Sequence, residues 1–500
     1  MSAAGRHEST AVEGVQLLAP STHAPLELEL GNDTVIVAVD SRSRAVNLQA
    51  LEGLRGIAAC WIMIFHCFVY STWPVDFQGS SLMPFFFMLT GLTHAAVAPY
   101  NSIWAGGSSA PTFWSFYNNR LARVVPMYYL MNLVFALPLW VVGYGDSPIS
   151  DSGGAIGTTL TFSSSLFFFF LGGALDGPAW TVQSFLWLWL TFPWTMRWAR
   201  GLSSEDLGQW LLRLYNIQLG VLLILFFSLV GVVGFWPAFC AATMHPVSRW
   251  PLFAMGVVAG ELLHRTTVDH PQRLPNLGSV WPRSWCGHPC RKNGCCGGAS
   301  GGCRCSQCCA GAGAGAAPPP PPRVISDPQA SRAEQQEYWT AKAYSVAGGL
   351  TGTTLFVSFV DRLARSPVDG SGGILGAVWF QALVPFAQLE LIVALTQMNP
   401  DAALYRALTT PLALFLGEIS MSVYLTHFPV IWLVCLGNNN FAVREWPTTT
   451  PTADDPLWVA WYVQKLLPLW GIPLVVAITI PLATAVHLGF AEPLRKWLKT

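Results

Sequence analysis

The sequence predicts an all-α protein, a polytopic transmembrane helical bundle of about ten spans. Three observations predict it. Of the 500 residues, 52% are hydrophobic and only 11% are charged, whereas soluble domains carry about 25% charged residues. Mean hydropathy is +0.42. Apolar runs near the ~20 residues that cross a bilayer recur along the chain. The net charge is zero and no basic stripe or nucleic-acid motif occurs, so the expected partner is a lipid bilayer and no nucleic acid.

Residues 1–47 are polar, without the basic start and apolar core of a signal peptide. They are expected to form a disordered cytoplasmic tail. Asn32 in "GNDT" is an N-glycosylation acceptor, so glycosylation there would invert that orientation. Candidate spans follow at about 54–70, 81–98, 124–143, 180–196, 217–240, 250–264, 343–360, 374–396, 411–436 and 465–489. An eleventh run, 155–173, is expected to be re-entrant or peripheral. With that reading, Arg120, Arg123, Arg197, Arg200, Arg213 and the tail bearing Arg495, Lys496 and Lys499 all fall on the cytoplasmic side, as the positive-inside rule asks. Both termini are then cytoplasmic.

The spans divide into two halves, 48–264 and 341–500. Between them, 265–340 is a Cys-rich and Gly/Pro-rich cytoplasmic insertion. Eight of the twelve cysteines fall within 286–309, followed by "AGAGAGAAPPPPPR". Such density of Gly and Pro builds no core. The cysteines fit a bland linker, S-acylation or a metal site. Their spacing matches no familiar zinc finger, and His288 is the one histidine nearby, so no metal is expected.

Two features carry chemistry. The first is "LEGLRGIAACWIMIFHCF", 51 to 68. Ionisable side chains in a span are expensive and usually functional. Arg55 and His66 are eleven steps apart, a net turn of about 20° and a rise of about 16 Å on a helix, so they share one face. A neutral imidazole there can accept a proton at physiological pH; the alternative is a histidine bonded to a neighbouring helix. The second is "FWSFYNNRLARVVPMYYL", 113 to 130. Arg120 and Arg123 sit one turn apart at the cytoplasmic mouth. Two guanidiniums on one face suit phosphate, although headgroup anchoring explains them as well.

The motifs taken together resemble the acyltransferase-3 family of integral membrane acyltransferases. The family's "L-D-G-L-R-G-I-A-A", with a histidine after ten residues that follow the arginine, is matched by "LEGLRGIAA" and His66. Its "F-F-x-L-S-G-F" is matched by "FFFMLTGL", 85 to 92. Its R-x-x-R with "I-Y-P-L-Y-Y-L" is matched by Arg120, Arg123, Pro126, Tyr128 and Tyr129. "G-P-x-W-S-L" corresponds to "GPAWTV", 177 to 182, "L-G-x-I-S-Y-S-x-Y-L-x-H-x-P" to "LGEISMSVYLTHFP", 416 to 429, and the closing "E-P-L-R-R" to "EPLRKWL".

The resemblance implies transfer of an acyl group, commonly acetyl, from acyl-CoA to a hydroxyl of a carbohydrate, lipid or other small acceptor. It implies no permanently bound cofactor; acyl-CoA is a co-substrate. His66 is the implied catalytic residue, as base or as acyl carrier. Arg55, Arg120 and Arg123 are the implied donor-binding residues, and Trp180, Thr181, Gln183 and His427 would line the site. His94, His264 and His487 read as interfacial, and Glu418 has no assigned role.

The chain departs from the family at two acidic motifs. The Glu positions of "W-S-L-S-V-E-E" fall on Phe185 and Leu186, and the Glu of "R-x-P-E-F" falls on Leu252. The loss leaves a second reading open, a non-catalytic transporter or lipid-handling protein on the same scaffold, and a third, a membrane scaffold presenting the Cys-rich loop.

Overall fold

The computed structural model describes residues 26–30, 33–37, 48–71, 79–96, 113–139, 156–163, 165–166, 176–233, 238, 242–266, 328–364, 384–438 and 467–498. Asn32, the Cys-rich segment and most of the N-terminal tail lie outside them. The chain divides into units 1–45 and 46–500. In the first, β1 (Leu26–Leu30) pairs antiparallel with β2 (Asp33–Val37), Leu26 opposite Val37. The sequence between them is Gly-Asn, a two-residue hairpin composition. Among the described residues this hairpin and an isolated parallel bridge between Ser71 and Leu467 depart from an all-helical reading.

The second unit is a helical bundle. Its helices are α1 (Gln49–Val69), α2 (Met83–Ala96), α3 (Phe113–Tyr129), α4 (Ala179–Gly201), α5 (Ser204–Val233) and α6 (Pro246–His264). Then come α7 (Pro328–Ala364), α8 (Pro385–Gln397), α9 (Ala403–Leu408), α10 (Pro411–Glu418), α11 (Ser420–Asn438), α12 (Gly471–Val486) and α13 (Glu492–Trp497). Helix α7 begins inside the stretch expected to be linker. Its "SRAEQQE" is built of helix formers, and Lys342 pairs with the buried Glu390 of α8 at 3.3 Å.

Among the described residues, five helices are long and apolar enough to cross a membrane: Gln49–Phe68, Phe113–Leu139, Ser204–Gly231, Ser420–Asn438 and Gly471–Trp497. The protein is an integral membrane protein, but the ten expected spans are not all met. Helices α2 and α8 have 14 and 13 residues, short of a bilayer. Helix α6 is long enough but carries Arg249 and Glu261. The reason is its position. Apart from Val247 and Trp250 it is buried throughout, facing protein rather than lipid, and a helix so placed need not be uniformly apolar.

Helix α6 packs directly on α2. A Cβ on Gly256 would lie 2.0 Å from the Met88 carbonyl oxygen, and one on Gly91 2.2 Å from that of Phe253. Only glycine lets the two backbones approach so closely. Phe87, Met88, Leu92, Phe253, Val257 and Leu262 fill this centre. Of the 155–173 run, residues 156–160 form a short helix, held at its side by Tyr128 Oη and Tyr129 Oη, which donate to the carbonyls of Thr159 (3.0 Å) and Leu160 (2.9 Å). The described part therefore packs on α3 rather than crossing.

Candidate active site

Helices α1, α3 and α11 run in one direction, and this sets the site. Near the start of α1, Arg55 reaches α10 and α11. Its Nε donates to Ser420 Oγ at 2.9 Å and Nη2 to the Gly417 carbonyl at 2.7 Å, and it pairs with Glu52. A Cβ on Gly56 would fall 2.4 Å from Gly417 N, so glycine at both positions brings the guanidinium within reach. Arg55 thus ties α1 to the α10–α11 junction.

Further along the same helices, His66 meets His427. His66 Nδ1 lies 2.9 Å from His427 Nε2, with the rings stacked at 19°. His427 Nδ1 lies 3.2 Å from the Val423 carbonyl oxygen. A carbonyl can only accept, so His427 Nδ1 carries the proton and Nε2 accepts. His66 Nδ1 is then the donor, and its Nε2 keeps a lone pair. His427 is fully buried, and Phe428 stands edge-on to both rings. The histidine pair sits in the last turn of α1, about 16 Å above Arg55 at 1.5 Å per residue.

Helix α3 supplies the other arginines. Arg120 Cζ lies 5.9 Å from the Phe116 ring. Arg123 makes no hydrogen bond or ion pair among the described residues. It lies within electrostatic reach of Arg55, Arg120, Arg495 and Glu52. Pro126 then removes a backbone donor, and the helix continues as a π turn, Leu130–Ala136. Such turns recur at functional sites. Here the turn places Asn132, whose Nδ2 donates to the Tyr128 carbonyl at 2.9 Å and whose Oδ1 accepts from Asp176 N at 3.0 Å.

The "DGPAW" turn lies against α11. Thr181 Oγ1 and Tyr424 Oη are 2.8 Å apart, and Tyr424 Oη donates to the Pro178 carbonyl at 3.2 Å. A Cβ on Gly177 would sit 2.9 Å from Phe428. Thr181 is thus joined to the histidine pair through Tyr424, whose ring lies 5.8 Å from that of His427, whereas Trp180 packs 6.3 Å from Phe87. Gln183 is engaged elsewhere: Nε2 donates to Tyr128 Oη at 2.6 Å and Oε1 accepts from Ser165 N at 3.0 Å, anchoring the 156–166 segment.

The positions of the absent acids are core. Phe185 stacks on Trp189 and leans on Phe87, and Leu252 is fully buried. Arg249 is buried with its Cζ 5.4 Å from the Phe87 ring, and its Nε and Nη1 have no partner. An acid that sequence reasoning missed lies elsewhere. Asp176 is fully buried with neither carboxyl oxygen hydrogen-bonded. Burial pushes its carboxyl well above the usual carboxylate range. Its place immediately before "GPAW" was the available signal.

His487, expected at an interface, lies 3.6 Å from Glu418, which gives Glu418 a role in holding α12 to α10. His94 Nδ1 lies 2.6 Å from the Thr90 carbonyl oxygen and is buried among Phe116, Trp189 and Phe192, as is His264 at the end of α6. Both are core residues rather than interfacial ones.

Fold and site together define an integral membrane protein with a histidine pair set above a cluster of arginines. A family model described as an acyltransferase domain matches residues 48–287. These residues match a domain of the acyltransferase-3 family, as the motifs implied. The motif matches at 416–429 and 492–498 lie beyond that stretch. No curated protein and no solved structure matches the chain.

Proposed function

We propose that the protein is a membrane O-acyltransferase that moves an acyl group, acetyl in the first instance, from acyl-CoA to a hydroxyl of a carbohydrate, lipid or other small acceptor. The observation that carries this reading is the oriented pair, His66 Nδ1 to His427 Nε2 at 2.9 Å, continued to the Val423 carbonyl. A base fixed by a second group is the pattern of acyl-transfer sites.

His66 Nε2 takes the acceptor hydroxyl proton as the oxygen attacks the thioester carbon. The tetrahedral intermediate collapses, the C–S bond breaks, and the imidazolium returns the proton to the departing CoA thiolate. His427 holds the neutral tautomer and shares the positive charge. Thr181 and Tyr424, joined at 2.8 Å, offer hydroxyls beside the pair. The donor's anionic end is held by Arg123 and Arg120, and its pantetheine arm runs along α1 and α3 toward His66. Arg55 acts by fixing α1 against α11. CoA is cytosolic, so the arginine end faces the cytoplasm and both termini lie on that side.

The test is acetyl-CoA turnover by the purified protein in detergent. A positioned base contributes about 10²–10⁴-fold, so His66→Ala is expected to lose turnover by that factor while retaining CoA binding. Unchanged turnover in a folded His66→Ala variant would overturn the reading. Folded wild type that neither binds nor turns over the donor would favour the transporter.

A further inference from the structure

We propose that Arg249 binds an acid group of the acceptor, so that the molecule acylated is a hydroxyl compound carrying a carboxylate or a phosphate. The proposal rests on the acyl-transfer reading above and names a class of acceptor for it.

Arg249 stands in the first turn of α6 and is 1% exposed. A guanidinium keeps its charge in a protein and offers five N–H donors. Among the described residues none of them meets an acceptor or a carboxylate, and Nε and Nη1 are sealed from solvent. The contact that remains is the Phe87 ring, 5.4 Å from Cζ. A cation–π contact does not replace the hydrogen bonds that a buried cation loses. The helix adds to the cost, because its N-terminus is the positive end of the dipole.

No buried acid of the bundle relieves this charge. Glu261 is bound to Arg265 at 2.8 Å and Glu390 to Lys342 at 3.3 Å, and neither carboxyl oxygen of Asp176 has a partner. Leu252 stands where the family motif carries its glutamate. An acid there would lie one turn from Arg249 on the same helix; the leucine is fully buried core instead. A buried cation left unpaired at a helix N-terminus is an arrangement that receives an anion.

The position of Arg249 indicates which substrate brings that anion. Met83, the first residue of α2, has its Sδ 3.5 Å from Thr181 Oγ1 and 3.7 Å from Tyr424 Oη, and the Tyr424 ring lies 5.8 Å from that of His427. Gly256 against Met88 and Gly260 against Leu92 show that α2 and α6 run in the same direction, so the start of α6 lies at the Met83 end. Phe87, which carries Arg249 on its ring, follows Met83 by four residues, a rise of about 6 Å. Arg249 is thus one turn of α2 away from the hydroxyls beside the histidine pair. The donor's anionic end is assigned to the opposite end, where Arg55 lies about 16 Å from His66 along α1. An anion at Arg249 therefore belongs to the acceptor. The guanidinium fork grips two oxygens of its acid group and takes no part in the bonds made or broken.

The test uses the full-length protein in detergent, as wild type, Arg249→Met and Arg249→Lys. A buried cation kept for a ligand destabilises the empty fold, so Arg249→Met is expected to melt at or above wild type. Ligand binding is read as a saturable rise in melting temperature with glycerol 3-phosphate and with glycerate, against glycerol as the neutral control at matched ionic strength. The two acids should stabilise wild type and glycerol should not. Losing a charge-assisted fork weakens binding about ten-fold or more, so Arg249→Met should need at least ten times more acid for the same rise, with Arg249→Lys between the two. Acid effects that are absent from wild type, or equal in wild type and Arg249→Met, overturn the proposal. If Arg249→Met does not fold, Arg249→Lys decides: a weaker acid effect supports the proposal and an unchanged one overturns it. Phosphatidylglycerol in mixed micelles carries the same glycerol phosphate on a lipid, and stabilisation at lower concentration than the soluble acids would make the acceptor a lipid; the reverse order would make it a soluble acid. Acetyl transfer separates the two readings. Preference for glycerol 3-phosphate over glycerol, as the ratio of kcat/KM, should fall about ten-fold in Arg249→Met. Acid-specific stabilisation in folded wild type that does not turn over acetyl-CoA would keep the anion site and remove the acyl-CoA reading. Turnover with no acid preference would keep the enzyme and remove the anion site.

Discussion

The two ends of α1 are built on opposite principles. At the His66 end, hydrogen bonds close within the protein: His66 to His427, His427 to Val423, with Phe428 against both rings. At the Arg55 end, Arg123 makes no ion pair among the described residues and stands within electrostatic reach of Arg55, Arg120, Arg495 and Glu52. One layer is organised before any ligand arrives. The other gathers several guanidiniums near one place. That difference matches the two jobs of an acyl transfer, since a base must be held in one tautomer and orientation while a donor site must keep charge in reserve for its ligand.

The largest expected effect comes from breaking the organised layer. His66→Ala should reduce turnover by about 10²–10⁴-fold. His427→Ala should cost about ten-fold, because His66 stays but is deprived of the partner that fixes its tautomer. His427→Gln, whose side-chain oxygen can accept from His66 Nδ1, should recover part of that loss. Turnover and CoA binding measured side by side check this: binding should not move.

Next comes the arginine layer. Arg123→Ala should raise the donor KM about ten-fold at unchanged kcat, and it should not lower the melting temperature, since removing one of several clustered cations relieves repulsion. Arg55→Ala should behave differently. It breaks a clamp onto Gly417 and Ser420, so it should destabilise the fold by about 1.5–3 kcal/mol, read as a lower melting temperature. If Arg123→Ala destabilises and Arg55→Ala does not, the assignment of ligand-binding and clamping roles is reversed.

Asp176 gives a pH signature. Burial raises its carboxyl pKa in the folded protein above that of the unfolded chain, where it ionises above about pH 4. Folding therefore takes up a proton, and this contribution to stability falls as pH rises, by up to about 1.4 kcal/mol per unit. Asp176→Asn should flatten the decline of melting temperature between pH 5 and 7. An unchanged slope would mean that the carboxyl is ionised in the fold.

The smallest effect is at His245. Its Nδ1 accepts from Val247 N at 3.2 Å and caps α6, and burial lowers its pKa. Its contribution is full above about pH 6.5 and is lost as pH falls through the lowered value, when the protonated ring can no longer accept. The cap is worth about 1 kcal/mol, so His245→Ala should lower the melting temperature at pH 7.5 and change it less at pH 5.

Much of this molecule was legible in the chain. Arg55 and His66 lie at helical spacing on one face, and the 3.6-residue period is a local property. Composition indicated a membrane, because the hydrophobic effect acts on residues one at a time. The motif series identified the acyltransferase-3 domain. The number of spans was not legible, since hydropathy cannot tell lipid from a protein neighbour: α6 tolerates Arg249 and Glu261 because α2, α4 and α5 surround it. Thr181 and His427 could be placed near the site by motif, but that Gln183 is spent on Tyr128 and Ser165 required the packing of α3 on α4.

Tertiary structure alone decided which side chains meet. His66 and His427 are 361 residues apart in sequence, and the C-terminal helix α13 packs on α3. Local sequence fixes where a helix forms and which face a residue takes. It cannot say which two faces will touch, because that is settled by the summed burial and the close approaches, such as Gly56 on Gly417, of the whole bundle at once. The sequence named an acid as missing at Phe185 and Leu252; the fold buried a different one, Asp176, beside the same turn.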